Sequence, residues 1–560
     1  MYHFRFDEMH YGKYASMYLR KTFFFDANPP LGKLLIALAG HMVGFDGGTF
    51  GFEKIGSPYP DDVPYVIFRL VPAIFGALLS PTVFLILCQL KVTAYAGYLA
   101  SFMVVFDTAF LTQSRFVLLE SMMIFFSLMA VLSVLKMRGY YDQPFGFGWW
   151  TWLVVAAINI GLAFCVKYLA FYSCALCVAI LARDFWTRRL GQTSVTNVQI
   201  LAELAAEGLI LVMIPLSIYL AVFYLHLGIL TKAGNHDSLM TSAFQASLEG
   251  GLSSIVRGQP SAVAHGSQIT LRHTHGRTCW MHSHEHVYPI RYPDGRGSSH
   301  QQQVSCYGYK DVNNWWIVKR PDREDLKVHE PVDVIKDGEV IQLVHGMTHR
   351  ALNSHDVAAP MSPHNQEVTC YIDYNISMSS ENLWRVEVIN KEEGNEASSV
   401  WQSIGSQVRL IHVSTGQALK YSGKLYPDWG FHQNEIVCDK QIVQLDTIWN
   451  VEEHRYTKDD ENKNSIEREL FGAELIPEAP TDLTFLQKFL ELQIKMLITN
   501  QENVQNHNYA SDPTEWLFMT RGIAYYISKA SNVNLFIIKN VSLQKINTHS
   551  FRLKFTSWVT

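Results

Sequence analysis

The chain has 560 residues, 48% hydrophobic and 17% charged, against roughly 25% charged in an average soluble domain. Its 46 basic and 51 acidic residues leave a formal net charge of -5, so there is neither the composition of a disordered chain nor a positive field to gather nucleic acid. The charges are unevenly spread: Val66 to Leu230 carries 15 in 165 positions, while the other 395 positions carry 82. That poorly charged third reads as membrane.

The first 65 residues are polar and aromatic by turns. Arg5-Phe-Asp7-Glu8-Met-His-Tyr-Gly12 places two carboxylates side by side among aromatic residues, and Phe23-Phe-Phe-Asp26-Ala-Asn-Pro-Pro-Leu-Gly-Lys33 follows. Adjacent carboxylates that are partly desolvated cannot both be ionised cheaply, which is one way to make a general base. A solvated pair of loop acids is the plain alternative. No secretory leader with a cleavage site opens the chain, which predicts that a first span precedes this sequence.

Uncharged runs then recur as Leu70–Leu90, Val92–Phe106, Ser121–Leu135, Gln143–Val166, Tyr168–Ala182 and Gly208–Thr231. A span needs about 20 apolar residues, so the three 15-residue runs must each extend past one bounding charge, Asp107, Glu120 or Lys167. Six spans are predicted. Lys91, Lys136 with Arg138, and Arg183 with Arg188 and Arg189 fall at alternate ends, which makes those ends cytoplasmic. Arg69, Arg115 and Lys167 then lie at the opposite membrane surface. Residues 1–65 and everything after Lys232 share that side, outside the cytoplasm. Cations at a membrane edge can serve a lipid phosphate or merely reach for headgroups.

After a linker over 232–260, the stretch 261–455 repeats itself three times. The first lines are Gly266–His273, Gly338–His345 and Ser406–His412. A histidine or serine turn follows at Met281–His284, Leu352–His355 and Leu419–Ser422. A β-branched strand comes next at Gln303–Tyr307, Glu367–Tyr371 and Glu435–Cys438. Each copy closes on a tryptophan at Trp316, Trp384 or Trp449. Three lobes of short alternating strands predict a β-trefoil. His273, His345 and His412 are expected to be core or turn residues. His282, His284 and His286 alternate on one strand face without a cysteine or carboxylate at ligand spacing, so no metal is expected. Cys279 to Cys306 is the only bridge entertained, because Cys306, Cys370 and Cys438 occupy equivalent places in separate lobes. Sequons at Asn375 and Asn540 suit an oxidising lumen. The stretch 456–531 reads as a second linker and 532–560 as a divergent tail, with no run near 18 uncharged residues after Lys232.

The repeat resembles the MIR domain. The stretches Phe6–Tyr14, Phe24–Lys33, Phe68–Ala77, Thr112–Glu120, Trp149-Trp150 and Val166–Tyr168 look like the protein O-mannosyltransferases, and Ser242–Gly250, His300–Gln303 and Asp311–Trp316 resemble most closely the animal subunit 1 type; the resemblance runs from Phe4 to about Asn532. It implies a multi-span α-helical membrane protein of the GT-C type with an inserted lumenal all-β domain, in the endoplasmic reticulum membrane, paired with a related second subunit. It further implies mannose transfer from dolichyl phosphate mannose to Ser and Thr hydroxyls of acceptor proteins, with no cofactor or metal. Asp7 with Glu8 matches the family's acidic motif, and Arg69 and Lys167 match its lipid-phosphate contacts. Arg115 is added on position and chemistry. The competing readings are a non-catalytic membrane-anchored lumenal protein whose trefoil binds glycan or peptide and recruits a partner, for which the acid pair and the three cations would have no use, or an inactive truncated subunit.

Overall fold

The computed structural model describes residues 8–48, 59, 60, 62–188, 196–273, 275, 278–373, 380–390, 396–457, 483–502, 523–527 and 534–537. Asp7, Asn375 and Asn540 lie outside the described residues. The chain divides into two units, one made of residues 1–21, 26–229 and 496–560, the other of 22–25 and 230–495.

The first unit is helical. Two short helices, α1 (Glu8–Leu19) and α2 (Leu31–Met42), precede α3 (Tyr65–Gln89), α4 (Ala94–Phe106), α5 (Thr108–Arg115), α6 (Glu120–Met137), α7 (Phe147–Val166), α8 (Phe171–Arg188) and α9 (Asn197–Ile229). Among the described residues, five of the helices beyond α2 are long and apolar enough to cross a membrane, and α4 with α5 makes a sixth candidate bent by 53°. Their packing is that of helices in lipid rather than water. Leu70, Leu99, Tyr172, Leu209 and Val212 are half or more exposed, while Ala130, Val134, Trp149, Leu153, Ala156 and Cys177 of α6, α7 and α8 form the interior. Gly161 permits a close approach of α7 to α9: a Cβ there would stand 2.9 Å from the Cα of Pro215.

Two spans depart from the extension expected of them. The helix does not run through Asp107, which ends α4 and caps α5 by accepting from the amides of Ala109 and Phe110. A carboxylate inside an apolar helix would be costly, whereas at an N-cap it satisfies two orphan donors. The fifth span gains no length toward Lys167, which is extended (φ -151°, ψ 141°), and α8 instead continues to Arg188. Charged side chains stand at the helix ends. Arg138 Nε lies 2.6 Å from Asp184 Oδ2, joining the close of α6 to the close of α8, and Glu120 opens α6 at its other end.

The second unit is all-β at its centre. Twelve strands run β1 (Ser267–His273), β2 (Cys279–Val287), β3 (Gln302–Tyr307), β4 (Trp315–Lys319), β5 (Val340–His345), β6 (Arg350–Ala358), β7 (Gln366–Asp373), β8 (Trp384–Val388), β9 (Gln407–His412), β10 (Ala418–Leu425), β11 (Asn434–Asp439) and β12 (Trp449–Tyr456). β1 pairs with β4 and β12, β5 with β4 and β8, and β9 with β8 and β12, which closes a six-stranded barrel. The hairpins β2–β3, β6–β7 and β10–β11 cap it, with β3, β7 and β11 pairing among themselves. This is the trefoil. The lines read as histidine or serine turns are its middle strands, because each carries a backbone carbonyl to which a lobe tryptophan is tied. Trp316, Trp384 and Trp449 are fully buried and donate from Nε1 to Met281, Leu352 and Leu419 at 3.0, 2.9 and 3.1 Å.

Cys279 and Cys306 are bridged, and Cys370 and Cys438 are buried and free. The flanks of the trefoil are structured as well. Helices α10 (Ser242–Ala246) and α11 (Leu252–Ile255) precede it, and α12 (Phe485–Glu502) falls within the stretch read as a linker. Arg272 on β1 is buried against Glu452 and donates to Ser242 Oγ and to the carbonyls of Ser238 and Met240, while Glu491 of α12 accepts from the amide and hydroxyl of Thr241. In the first unit, a short hairpin of β13 (Ile523–Ile527) with β14 (Asn534–Ile537) completes the described strands.

Because each tryptophan fills its lobe and satisfies its own donor, Trp384→Ala should destabilise a fragment of residues 262–453 by about 3 to 5 kcal/mol. Urea melts would show it as a lower midpoint with an unchanged slope. An unchanged midpoint would mean that the indole is not a lobe anchor.

Candidate functional site

Glu8, the first residue of α1, has no exposed surface. Arg69 Nε donates to its Oε1 at 2.8 Å and Nη2 to its Oε2 at 2.7 Å, and the Val117 amide adds a third bond at 3.0 Å. A bidentate fork of this kind fixes a carboxylate in orientation as well as charge. The guanidinium is itself walled by Tyr59, Tyr65 and Phe116, with ring centroids 5.4, 5.7 and 5.6 Å away. Thus Glu8 of the acidic motif and the first cation singled out in the sequence meet directly, with Glu8 held as a fixed anchor at the start of α1.

The second cation has its own carboxylate. Lys167 Nζ lies 2.5 Å from Glu120 Oε1, and the pair is 20% and 25% exposed, respectively. It is therefore open to a ligand in a way that Glu8 is not. Lys167 owes its place to the break between α7 and α8, where its amide still bonds the Ala163 carbonyl but its backbone leaves the helix. Arg115 ends α5, exposed, and makes no ion pair among the described residues. Its neighbour Phe116 forms part of the wall around Arg69.

A third pair was not assigned from the sequence although its motif was. Lys33, only 1% exposed, donates to Asp26 and, at 2.8 Å, to the Asn28 carbonyl. Burial pushes the Asp26 carboxyl up, but the Lys33 ammonium and the bonds from Lys33 and Asn28 outweigh it and hold Asp26 below its ordinary range. Burial pulls Lys33 down, partly offset by Asp26, and the charge of Lys167 pulls it further in the same direction. Gly32 explains how this loop reaches the other pairs. A Cβ there would stand 2.7 Å from Leu119 and 3.3 Å from Val166, the residues preceding Glu120 and Lys167. The Pro-Pro-Leu-Gly-Lys spacing was the available signal, since a glycine beside a buried lysine marks a close approach.

The trefoil histidines have structural partners. His345 and His412 each bond a threonine hydroxyl three residues on, Thr348 and Thr415, and a carbonyl of the preceding lobe, Asn313 and Glu381. His273 stacks on Tyr421 at 4.6 Å. His282 is buried and bonded to Asn314 at 2.8 Å, and His284 and His286 meet the edge of Phe431.

Three family models match the chain. They are the dolichyl-phosphate-mannose-protein mannosyltransferase model over residues 2–231, the MIR domain over 263–453, and the C-terminal four-transmembrane region of protein O-mannosyltransferase over 485–557. The last range takes in most of the segment set apart as a tail. Protein O-mannosyltransferase 1 of Drosophila pseudoobscura pseudoobscura is 52% identical over 542 residues, covering 96% of this chain and 58% of that protein. The Mus musculus protein O-mannosyl-transferase 1 is 45% identical, covering 96% and 72%. The chain thus spans somewhat under two thirds of the fly relative. The Saccharomyces cerevisiae protein O-mannosyltransferase Pmt1-Pmt2 complex bound to the sugar donor superposes with a TM-score of 0.79 at 29% identity, covering 96% of this chain and 70% of that one. With its apolar helical unit in the GT-C arrangement and its MIR trefoil, this chain belongs to the protein O-mannosyltransferase family.

Proposed function

We propose that the chain is an inverting mannosyltransferase subunit that moves mannose from dolichyl phosphate mannose to Ser and Thr hydroxyls of proteins at the lumenal face of the endoplasmic reticulum membrane, working with a related second subunit. The observation that carries this reading is the gathering of three acid–cation pairs, Glu8–Arg69, Glu120–Lys167 and Asp26–Lys33, in the unit whose helices can cross a membrane. An anchor needs none of them.

The chemistry asks for two things. A hydroxyl attacks well only if a base takes its proton during attack. The base is Asp7, next in the chain to the immobilised Glu8. The acceptor Oγ forms a bond to C1 of the mannose as the bond from C1 to the phosphate oxygen breaks, the configuration inverts, and Asp7 holds the proton. The phosphate that departs on the dolichol gains charge, and Lys167, Arg69 and Arg115 are the cations proposed to meet it. Lys167 is the chief of these, since it is part-exposed and Arg69 is largely committed to Glu8. The reaction balances without a cofactor. The trefoil is lumenal in this reading, as are the sequons.

The test sets the two membrane faces against each other. Lys167→Gln removes a charge-assisted contact worth roughly 1.5 to 3 kcal/mol, so transfer from dolichyl phosphate mannose to a Ser/Thr peptide should fall by about tenfold to 100-fold. Lys136→Gln, on the proposed cytoplasmic side, where its ammonium lies over Trp152, should change transfer by less than about twofold, since surface charges remote from a site contribute little. Equal losses would overturn the topology, and no loss in either would leave the helices as an anchor.

A further inference from the structure

Helix α1 is held at both ends. At its start Glu8 is bound by Arg69 and the Val117 amide. Near its close the Tyr18 hydroxyl meets Nδ1 of His226 at 2.7 Å, and both side chains are buried, at 4% and 5% exposure. His226 lies in the last turn of α9. An imidazole buried in a membrane helix is costly relative to an apolar side chain unless its polar atoms are used, so it asks for a use.

The pair also begins a train of rings. His226 meets the edge of Phe223, Phe223 lies 4.7 Å from Tyr219, and the Tyr219 hydroxyl is 2.9 Å from that of Tyr168, which follows Lys167 directly. Packed aromatic contacts of this kind transmit position because close-packed interiors yield little. One end of α1 therefore carries the acidic motif, and its other end is tied through α9 to the segment that presents Lys167.

We propose that Tyr18 and His226 are positioning residues for mannosyl transfer. Their hydrogen bond fixes α1 along its length, and so fixes where the acidic motif stands relative to Lys167, without either side chain touching a substrate. The inference rests on the transfer reading above and deepens it. Misplacing a reacting group by a fraction of an ångström slows the chemical step more than it weakens binding.

The experiment measures kcat and donor KM in microsomes of cells expressing the chain with a second O-mannosyltransferase subunit. Tyr18→Phe and His226→Phe keep the rings and remove the bond. Each should lower kcat about fivefold to tenfold at unchanged protein level and unchanged donor KM. The double variant should be no worse than the worse single one, because both remove the same bond. His226→Gln, whose amide can donate or accept, should return kcat to within about twofold of wild type. Wild-type kcat in both Phe variants, or a loss confined to protein level or to donor KM, overturns the proposal. Transfer that survives Asp7→Asn would instead sink the catalytic reading itself. Inactive Asp7→Asn beside normal Tyr18→Phe and His226→Phe would sink only this inference.

Discussion

Asp7→Asn is expected to lower mannosyl transfer about 100-fold or more while leaving the amount of protein in microsomes unchanged. Asparagine keeps the shape of the side chain and removes its ability to take a proton. The neighbouring anchor stays intact, because Glu8 remains bonded to Arg69 and Val117. The loss would therefore belong to the proton acceptor and not to the fold of α1. Glu8→Gln makes the useful contrast. It keeps a hydrogen-bonding side chain at the start of α1 but leaves Arg69 without its carboxylate, so its damage should come with lower protein stability, which Asp7→Asn should not show. Transfer from dolichyl phosphate mannose to a Ser/Thr peptide, normalised to protein level, distinguishes the two. Full activity in Asp7→Asn would remove Asp7 as the base.

The two variants separate because adjacent carboxylates were only half interpretable in the sequence. Asp7-Glu8 among aromatics suggests mutual repulsion, yet the structure gives Glu8 a dedicated counter-ion 61 residues away. The choice of ion-pair partner is a tertiary fact that no local spacing carries, and the same holds for Lys167 and Glu120, 47 residues apart. Local features were legible. An uncharged run long enough to span lipid becomes a helix because nothing else satisfies its backbone there, and the three tryptophan lines became β4, β8 and β12 because each lobe must fill the same hole. The break at Asp107 follows from the cost of a buried carboxylate, but length alone pointed to a continuous helix. The middle strands of the lobes escaped for another reason. Ser and His favour turns, and here that preference yields to the ladder bonds of β2, β6 and β10 with their partners.

Arg69→Gln should be the most damaging change among the cations, and for a reason distinct from the phosphate. Removing one partner of a buried ion pair leaves the other uncompensated, at a cost of about 3 to 5 kcal/mol, and Glu8 has no exposed surface through which water could replace the lost bonds. Lysine would not restore the site, since the bond from Nε to one oxygen and from Nη2 to the other needs a planar fork. Transfer should fall on the order of 100-fold, together with a lower thermal midpoint in detergent. Combining Arg69→Gln with Glu8→Gln removes both charges together. If Arg69 serves only to hold Glu8, the pair of changes should recover the midpoint and leave transfer no lower than in Glu8→Gln alone. If its charge also faces the departing phosphate, the midpoint should recover while transfer remains well below that of Glu8→Gln. A midpoint that stays low in the double variant would mean that the aromatic wall of Tyr59, Tyr65 and Phe116 depends on the guanidinium itself, placing its stacking, and not its ion pair, at the centre of the site's stability.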